Sequence, residues 1–158
     1  MNKFIAWSLM ILMLVVHVGQ ANAYNMKADK NIRKGQKFLK NNKKDDSVIA
    51  KMSGLQYQVI VKGEGKTKPI SSDSVTAHYH GTFINGDVFD SSATRGRPIT
   101  FKLNQVMPGW KEGLKMMVIG DKFRFFIPAH LAYGKKKHGK IPSGSLLIFE
   151  IELLAINP

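Results

Sequence analysis

Tyr79, Phe89, Phe101, Trp110, Tyr133 and Phe149, with Val106, Met107 and Ile141 among them, surround in sequence one lone acid, Asp90, that follows Phe89 directly. From Val75 to Pro158 the chain offers no nucleophile paired with a base, no metal cage and no phosphate cradle. One kind of chemistry needs little more than such a set. Rotation about an X–Pro amide faces a barrier of about 18–20 kcal/mol that comes from lost resonance. A dry pocket that binds the twisted amide better than the planar one lowers that barrier without a covalent step. The two forms differ by only about 0.5–1 kcal/mol, so both are available as substrate and product.

Each residue also has a plainer reading. A Trp on a short helix after Pro108-Gly109 is most often core, and isolated aromatics on strands are core filling. Asp90 before Ser91-Ser92 could open an Asx turn. The Tyr133 hydroxyl and the Met107 backbone N–H are donors able to hold substrate carbonyls beside an apolar pocket. Two other patterns lead nowhere. Gly63-Glu64-Gly65-Lys66-Thr67 mimics the end of a P-loop, but Ile60 stands where the first glycine is required and Pro69 follows where a helix should start. His78 and His80, with His130 and His138, lack a carboxylate or cysteine pattern and read as surface histidines, so no metal site is expected.

The elements that must position these residues are mostly strands. Leu55 to Val61 alternates, Val75 to Phe83 is rich in β-formers and ends at the hairpin signal Asn85-Gly86, and Ile99 to Leu103 and Phe123 to Ile127 read as further strands. Leu146 to Ile156 is a long apolar strand alternating with Glu150 and Glu152. The one helical patch of this half spans Gly109 to Met117, around Trp110, Leu114 and Met117. The expected fold is α+β, a curved antiparallel sheet wrapped around one short helix. Before it, Ile32, Phe38 and Leu39 are spaced for one face of a helix over roughly Lys27 to Asn42. That segment is so rich in Lys, Asn and Asp that a solvated basic helix or a loose arm is an equal reading.

The start of the chain reads as a secretory leader. Lys3 precedes an apolar run from Ile5 to Val18, and Ala21-Asn22-Ala23 offers a small-x-small cleavage pattern. The run is short for a membrane span, which needs about 20 residues. The expected organisation is a signal peptide over 1–23, a basic helical segment over 24–51 and one domain over 52–158. With no cysteine the chain cannot use disulfides, thiolate metal sites or cysteine catalysis. Its net charge of +13 favours anionic surfaces. For an exported protein, periplasmic or secreted, nucleic acid is not an expected partner.

Five blocks carry a family resemblance: His78-Tyr79-His80-Gly81, Gly86 to Ser92, Val106 to Gly113, Ala132-Tyr133-Gly134 and Ile148 to Leu154. In this order and spacing the chain resembles an FKBP-type peptidyl-prolyl cis-trans isomerase from about Gly54 onward. Gly35 to Lys44 and Ser53 to Tyr57 look like the secreted bacterial branch that includes the macrophage infectivity potentiators. The resemblance implies Trp110 as the floor of a proline pocket, with Tyr79, Phe89, Phe101 and Phe149 as walls. Asp90, held by Tyr79 and Arg95, would meet the substrate carbonyl carbon as the amide twists, and Tyr133 and Met107 would fix the peptide. Val106 and Ile141 complete the pocket.

The resemblance further implies activity without a cofactor, proline-containing peptides and unfolded exported proteins as substrates, and macrolides such as rapamycin as ligands. Lys135-Lys136-Lys137-His138-Gly139-Lys140 is basic where the common eukaryotic pattern has apolar or small residues, and it is expected to overhang the pocket and bias peptide choice. The family's dimers use a longer helical segment than this chain shows, so a monomer is expected and a dimer is not excluded. The rival readings are a non-catalytic envelope chaperone and a surface-binding module built on the basic arm.

Overall fold

The computed structural model describes residues 25–157, so the expected leader and its cleavage at Ala23 lie outside the described residues. Helix α1 covers residues 25–42. Strands β1 (Val48–Ala50), β2 (Gln56–Val61), β3 (Ser74–Thr82), β4 (Val88–Ser91) and β5 (Ile99–Lys102) follow. Helix α2 (Pro108–Leu114) comes next, then β6 (Lys122–Ile127) and β7 (Leu147–Asn157). All pairings are antiparallel and make one sheet in the order β1-β2-β6-β7-β3-β4. Along its free side β3 pairs first with β5 and then with β4.

Alternation explains which side of the sheet carries the core. On β3, Val75, Ala77, Tyr79 and Gly81 are buried while the residues between them are half-buried. On β7, Leu147, Phe149, Ile151 and Leu153 point inward and Glu150 and Glu152 outward, as the sequence pattern requires. Helix α2 lays Trp110 and Leu114 against this face. It can sit that close because Gly113 has no side chain: a Cβ there would lie 2.6 Å from the Phe125 ring.

The N-terminal segment departs from the expectation of a solvated arm. Ala28 is fully buried, Gly35 packs on Leu146, and Phe38 meets Phe126 at 5.8 Å between ring centroids. Asn42 donates to the Gln56 side chain at 2.9 Å, and Gln56 in turn donates to the Leu39 carbonyl at 3.0 Å. Phe126 faces away from Phe125 along β6, so α1 closes the opposite side of the sheet. Ala28, Ile32, Gly35, Leu39 and Asn42 follow the spacing of one helix face. Three of these are small or polar, which is why hydrophobicity alone undersold the docking. Exposed Lys27, Lys30, Arg33, Lys34, Lys37 and Lys40 occupy the remaining surface. The sheet also begins earlier than the drawn boundary at residue 52, because Val48–Ala50 pairs with β2 inside the segment assigned to the arm.

Candidate active site

The site is a concavity of about 700 Å³ between the sheet, α2 and the long β6–β7 connection. The structure brings Tyr79, Phe89, Asp90, Val106, Met107, Trp110, Tyr133, Ile141 and Phe149 around it. Arg95 and Phe101 are not on its lining. Phe101 packs behind Trp110 instead, at 5.2 Å, and Arg95 reaches the site only through Tyr79 and Asp90. Ile99, Gln105, Ala132, His138, Gly139 and Lys140 also line the space without having been singled out. For Ile99 the signal was present, since it sits two residues from Phe101 on β5 and shares its face.

Trp110 is clamped by rings. Tyr79 meets it edge-on at 5.3 Å and 71°, and Phe149 at 5.1 Å and 86°, the arrangement in which positive ring edges face negative ring faces. Its Nε1 is buried with no hydrogen-bond partner. Buried donors are nearly always paired, so this indole spends polar satisfaction on presenting an apolar floor.

Asp90 sits on the rim in a closed network. Tyr79 donates its hydroxyl to Asp90 Oδ2 at 2.5 Å, Arg95 Nη1 donates to Oδ1 at 2.5 Å, and Arg95 Nη2 donates to the Tyr79 oxygen at 2.7 Å. Buried Ser92 secures the turn that carries Arg95: its hydroxyl accepts from the Tyr79 backbone N–H at 2.8 Å and its own N–H donates to the Tyr79 carbonyl at 3.0 Å. Partial burial pushes the Asp90 carboxyl up, but the hydrogen bonds from Tyr79 and Arg95 and the charge of Arg95 outweigh it and hold it below the usual carboxylate range. The group is therefore an ionised charge at neutral pH and not a poised base. An Asx turn is not what it makes. Because Arg95 and Asp90 are both more than two-fifths exposed, their ion pair matters for aim more than for stability.

Across the site, burial, with the Asp90 charge adding to it, raises the Tyr133 hydroxyl above its usual range. It stays a proton donor at neutral pH. His138 stacks on the Tyr133 ring at 4.0 Å and 7° and exchanges two backbone hydrogen bonds with Ile141, of 3.0 and 2.8 Å. The basic loop divides. Lys140 lines the site, whereas Lys135 turns away and pairs with Asp29 of α1 at 2.7 Å. His78 and His80 are half-buried and share hydrogen bonds with Ser92 and Ser91, at 3.0 and 3.1 Å. Among the described residues no three His, Asp or Glu side chains converge as a metal would need.

The model of the FKBP-type peptidyl-prolyl cis-trans isomerase family matches residues 65–154, which is more than half of the chain. The chain belongs to this family. A second model, the domain amino terminal to FKBP-type peptidyl-prolyl isomerase, matches residues 10–59. An FKBP-type isomerase, FkpA, of Aeromonas hydrophila is 51% identical over 83% of this chain and 50% of its own length. The outer membrane protein MIP of Legionella longbeachae is 45% identical over 85% of this chain and 58% of its own. The chain thus spans about half the length of the curated relatives it matches. The crystal structure of FkpA from Escherichia coli superposes with a TM-score of 0.89 at 38% identity, over all of this chain and 74% of that one. The names FkpA and MIP agree with the MIP-like branch of the FKBP family read from Gly35 to Lys44 and Ser53 to Tyr57. Among the described residues no helix is long and apolar enough to cross a membrane.

Proposed function

We propose that this FKBP-type chain catalyses cis-trans isomerisation of X–Pro bonds in exported proteins. The observation that carries the reading is the ionised Asp90, held by Tyr79 and Arg95 at the rim of a concavity with an aromatic floor at Trp110. The prolyl ring lies on the indole, between Tyr79, Phe89 and Phe149. Tyr133 and the Met107 backbone hold the flanking carbonyls. As the amide loses planarity its carbon becomes more electrophilic, and the fixed carboxylate stabilises that twisted state without moving a proton. Exclusion of water strengthens this attraction. Uncatalysed isomerisation takes tens to hundreds of seconds, so the step is worth catalysing during folding.

A site that merely held peptides would gain nothing from an acid so carefully aimed, which favours the enzyme over a non-catalytic chaperone. We read residues 1–23 as the leader of a periplasmic or secreted protein, residues 24–51 as the arm, whose last residues add β1 to the sheet, and residues 52–158 as the isomerase domain. The protein is a monomer, because Ala28, Gly35 and Phe38 of α1 already pack on its own chain and leave too little apolar surface for a large obligate interface. A protease-coupled assay on an X–Pro tetrapeptide tests the activity: acceleration that rapamycin abolishes is expected, and peptide binding without acceleration would leave only the chaperone reading. Sedimentation tests the assembly, with a stable dimer at micromolar concentration counting against the monomer.

A further inference from the structure

Between α1 and the β3–β4 hairpin runs a second concavity, of about 690 Å³. Its floor is apolar, made by Phe38 of α1, Phe83 and Ile84 of the hairpin, and Leu146. Lys34 and Lys37, both exposed, stand on the α1 lip. The groove holds one acid, Asp87, which accepts from the Asn85 side chain at 2.6 Å and keeps its charge, so the two lysines outnumber it and the sign is positive by one.

This groove lies back to back with the prolyl pocket. Phe83 on its floor packs on Phe89 at 4.8 Å and 42°, and Phe89 lines the pocket. On the other flank Pro142 lines the groove and its neighbour Ile141 lines the pocket. One ring pair and one peptide bond separate the two spaces. A chain extended at about 3.3 Å per residue crosses that divide within a few residues.

We propose that the groove is an accessory subsite for the polypeptide flanking the target proline, and that it selects segments combining apolar side chains with carboxylates. This rests on the isomerase reading and adds a substrate class to it. The apolar floor takes the side chains, the lysines meet the carboxylates, and the groove's place beside the pocket, across the Phe83–Phe89 ring pair, names the occupant as the substrate's own chain. A tetrapeptide is too short to use the groove. An unfolded segment held in both places pays the second encounter only at local concentration, so the subsite lowers KM and leaves kcat alone.

The test uses the full chain and two substrates with the same X–Pro centre, a tetrapeptide and a longer peptide flanked by leucine and glutamate. A third peptide replaces each glutamate by lysine. The wild type is expected to prefer the acidic long peptide. In the Lys34→Glu, Lys37→Glu double variant its KM should rise roughly tenfold at low salt with kcat unchanged, and the preference should pass to the lysine peptide. Ile84→Ser, at an exposed position, should raise KM for both long peptides. Tetrapeptide turnover should stay within about twofold throughout, since Lys34, Lys37 and Ile84 do not line the prolyl pocket. Long-peptide KM values that do not move in either variant overturn the subsite. A wild type that turns over no peptide sinks the isomerase reading instead. The groove is then judged by fluorescence anisotropy of the labelled acidic peptide, whose binding must weaken in the double variant for the subsite to stand.

Discussion

The two walls of the proposed prolyl pocket are held in different ways. Tyr79, Phe89 and Asp90 stand on β3 and β4, and their geometry is closed locally by Arg95 and Ser92. Tyr133 and Ile141 stand in the β6–β7 connection, and that connection is steadied from outside the core by α1. Asp29 pairs with Lys135, Asn31 donates to the Ser143 carbonyl at 2.8 Å, and the helix rests on Gly144 at Ala28. The charge proposed to favour the twisted amide is thus positioned by residues within the domain, whereas the donor proposed to hold the peptide depends on a helix read as an appendage. The contrast predicts that damage to the first wall strikes catalysis and damage to the second strikes binding.

The largest effect should come from the first wall. Asp90→Leu removes the charge and leaves Arg95 without its carboxylate partner, and kcat/KM should fall roughly ten- to a hundredfold, the range for a hydrogen-bonded charged group. Circular dichroism should be unchanged, because the side chain is nearly half exposed. Full activity in this variant would remove the difference between the walls.

The second wall is tested through Gly144. Its φ of +74° disfavours any other residue, and an added Cβ would run into the Ala28 carbonyl. Gly144→Ala should cost about 1–3 kcal/mol of stability and detach the first turn of α1. Below the melting transition KM should rise several-fold with less change in kcat. If peptide turnover is untouched while α1 is shown by hydrogen exchange to be loosened, the connection holds its own shape and the arm is dispensable.

Tyr133→Phe isolates the donor on that wall. One hydrogen bond is worth about 0.5–1.5 kcal/mol net, so kcat/KM should fall roughly two- to tenfold. The smallest expected effect is that of acid. A folded carboxyl held below its ordinary value keeps its charge, and the stability linked to it, at pH values above the unfolded value, and loses both only as pH falls through the lower folded value. Activity that depends on Asp90 should therefore be flat from neutral pH down to about the ordinary value of 3.8 and decline only below it. An inflection near pH 5 or 6 would show that a different group titrates in the mechanism.

Legibility in the sequence follows the same divide. The strands of the core face announced themselves, Val75 to Phe83 through its β-formers and the last strand through Phe149, Ile151 and Leu153 alternating with Glu150 and Glu152. The family blocks then carried the pocket assignments that alternation could not. Two things were hidden. Docking of α1 rests on Ala28, Gly35 and Asn42, which mark close approach and a side-chain hydrogen bond and carry almost no hydrophobic signal. The run Phe125-Phe126-Ile127 was the available hint, since three buried residues in a row on β6 require a cover on both faces. Likewise the pairing of Lys135 with Asp29 joins residues far apart in sequence, and a basic loop read by itself cannot show that one of its lysines faces a helix and another the pocket.

The central claim is that the Trp110 indole is the floor on which the proline ring lies, and fluorescence of Trp110 tests it most directly. The chain has two tryptophans, so Trp7→Phe leaves Trp110 as the sole indole. Rapamycin titrated into this variant should change the emission saturably, with inhibition of prolyl-peptide turnover following the same concentration dependence. An emission spectrum that stays constant while the ligand binds and inhibits would place the indole away from the bound ring and contradict the account.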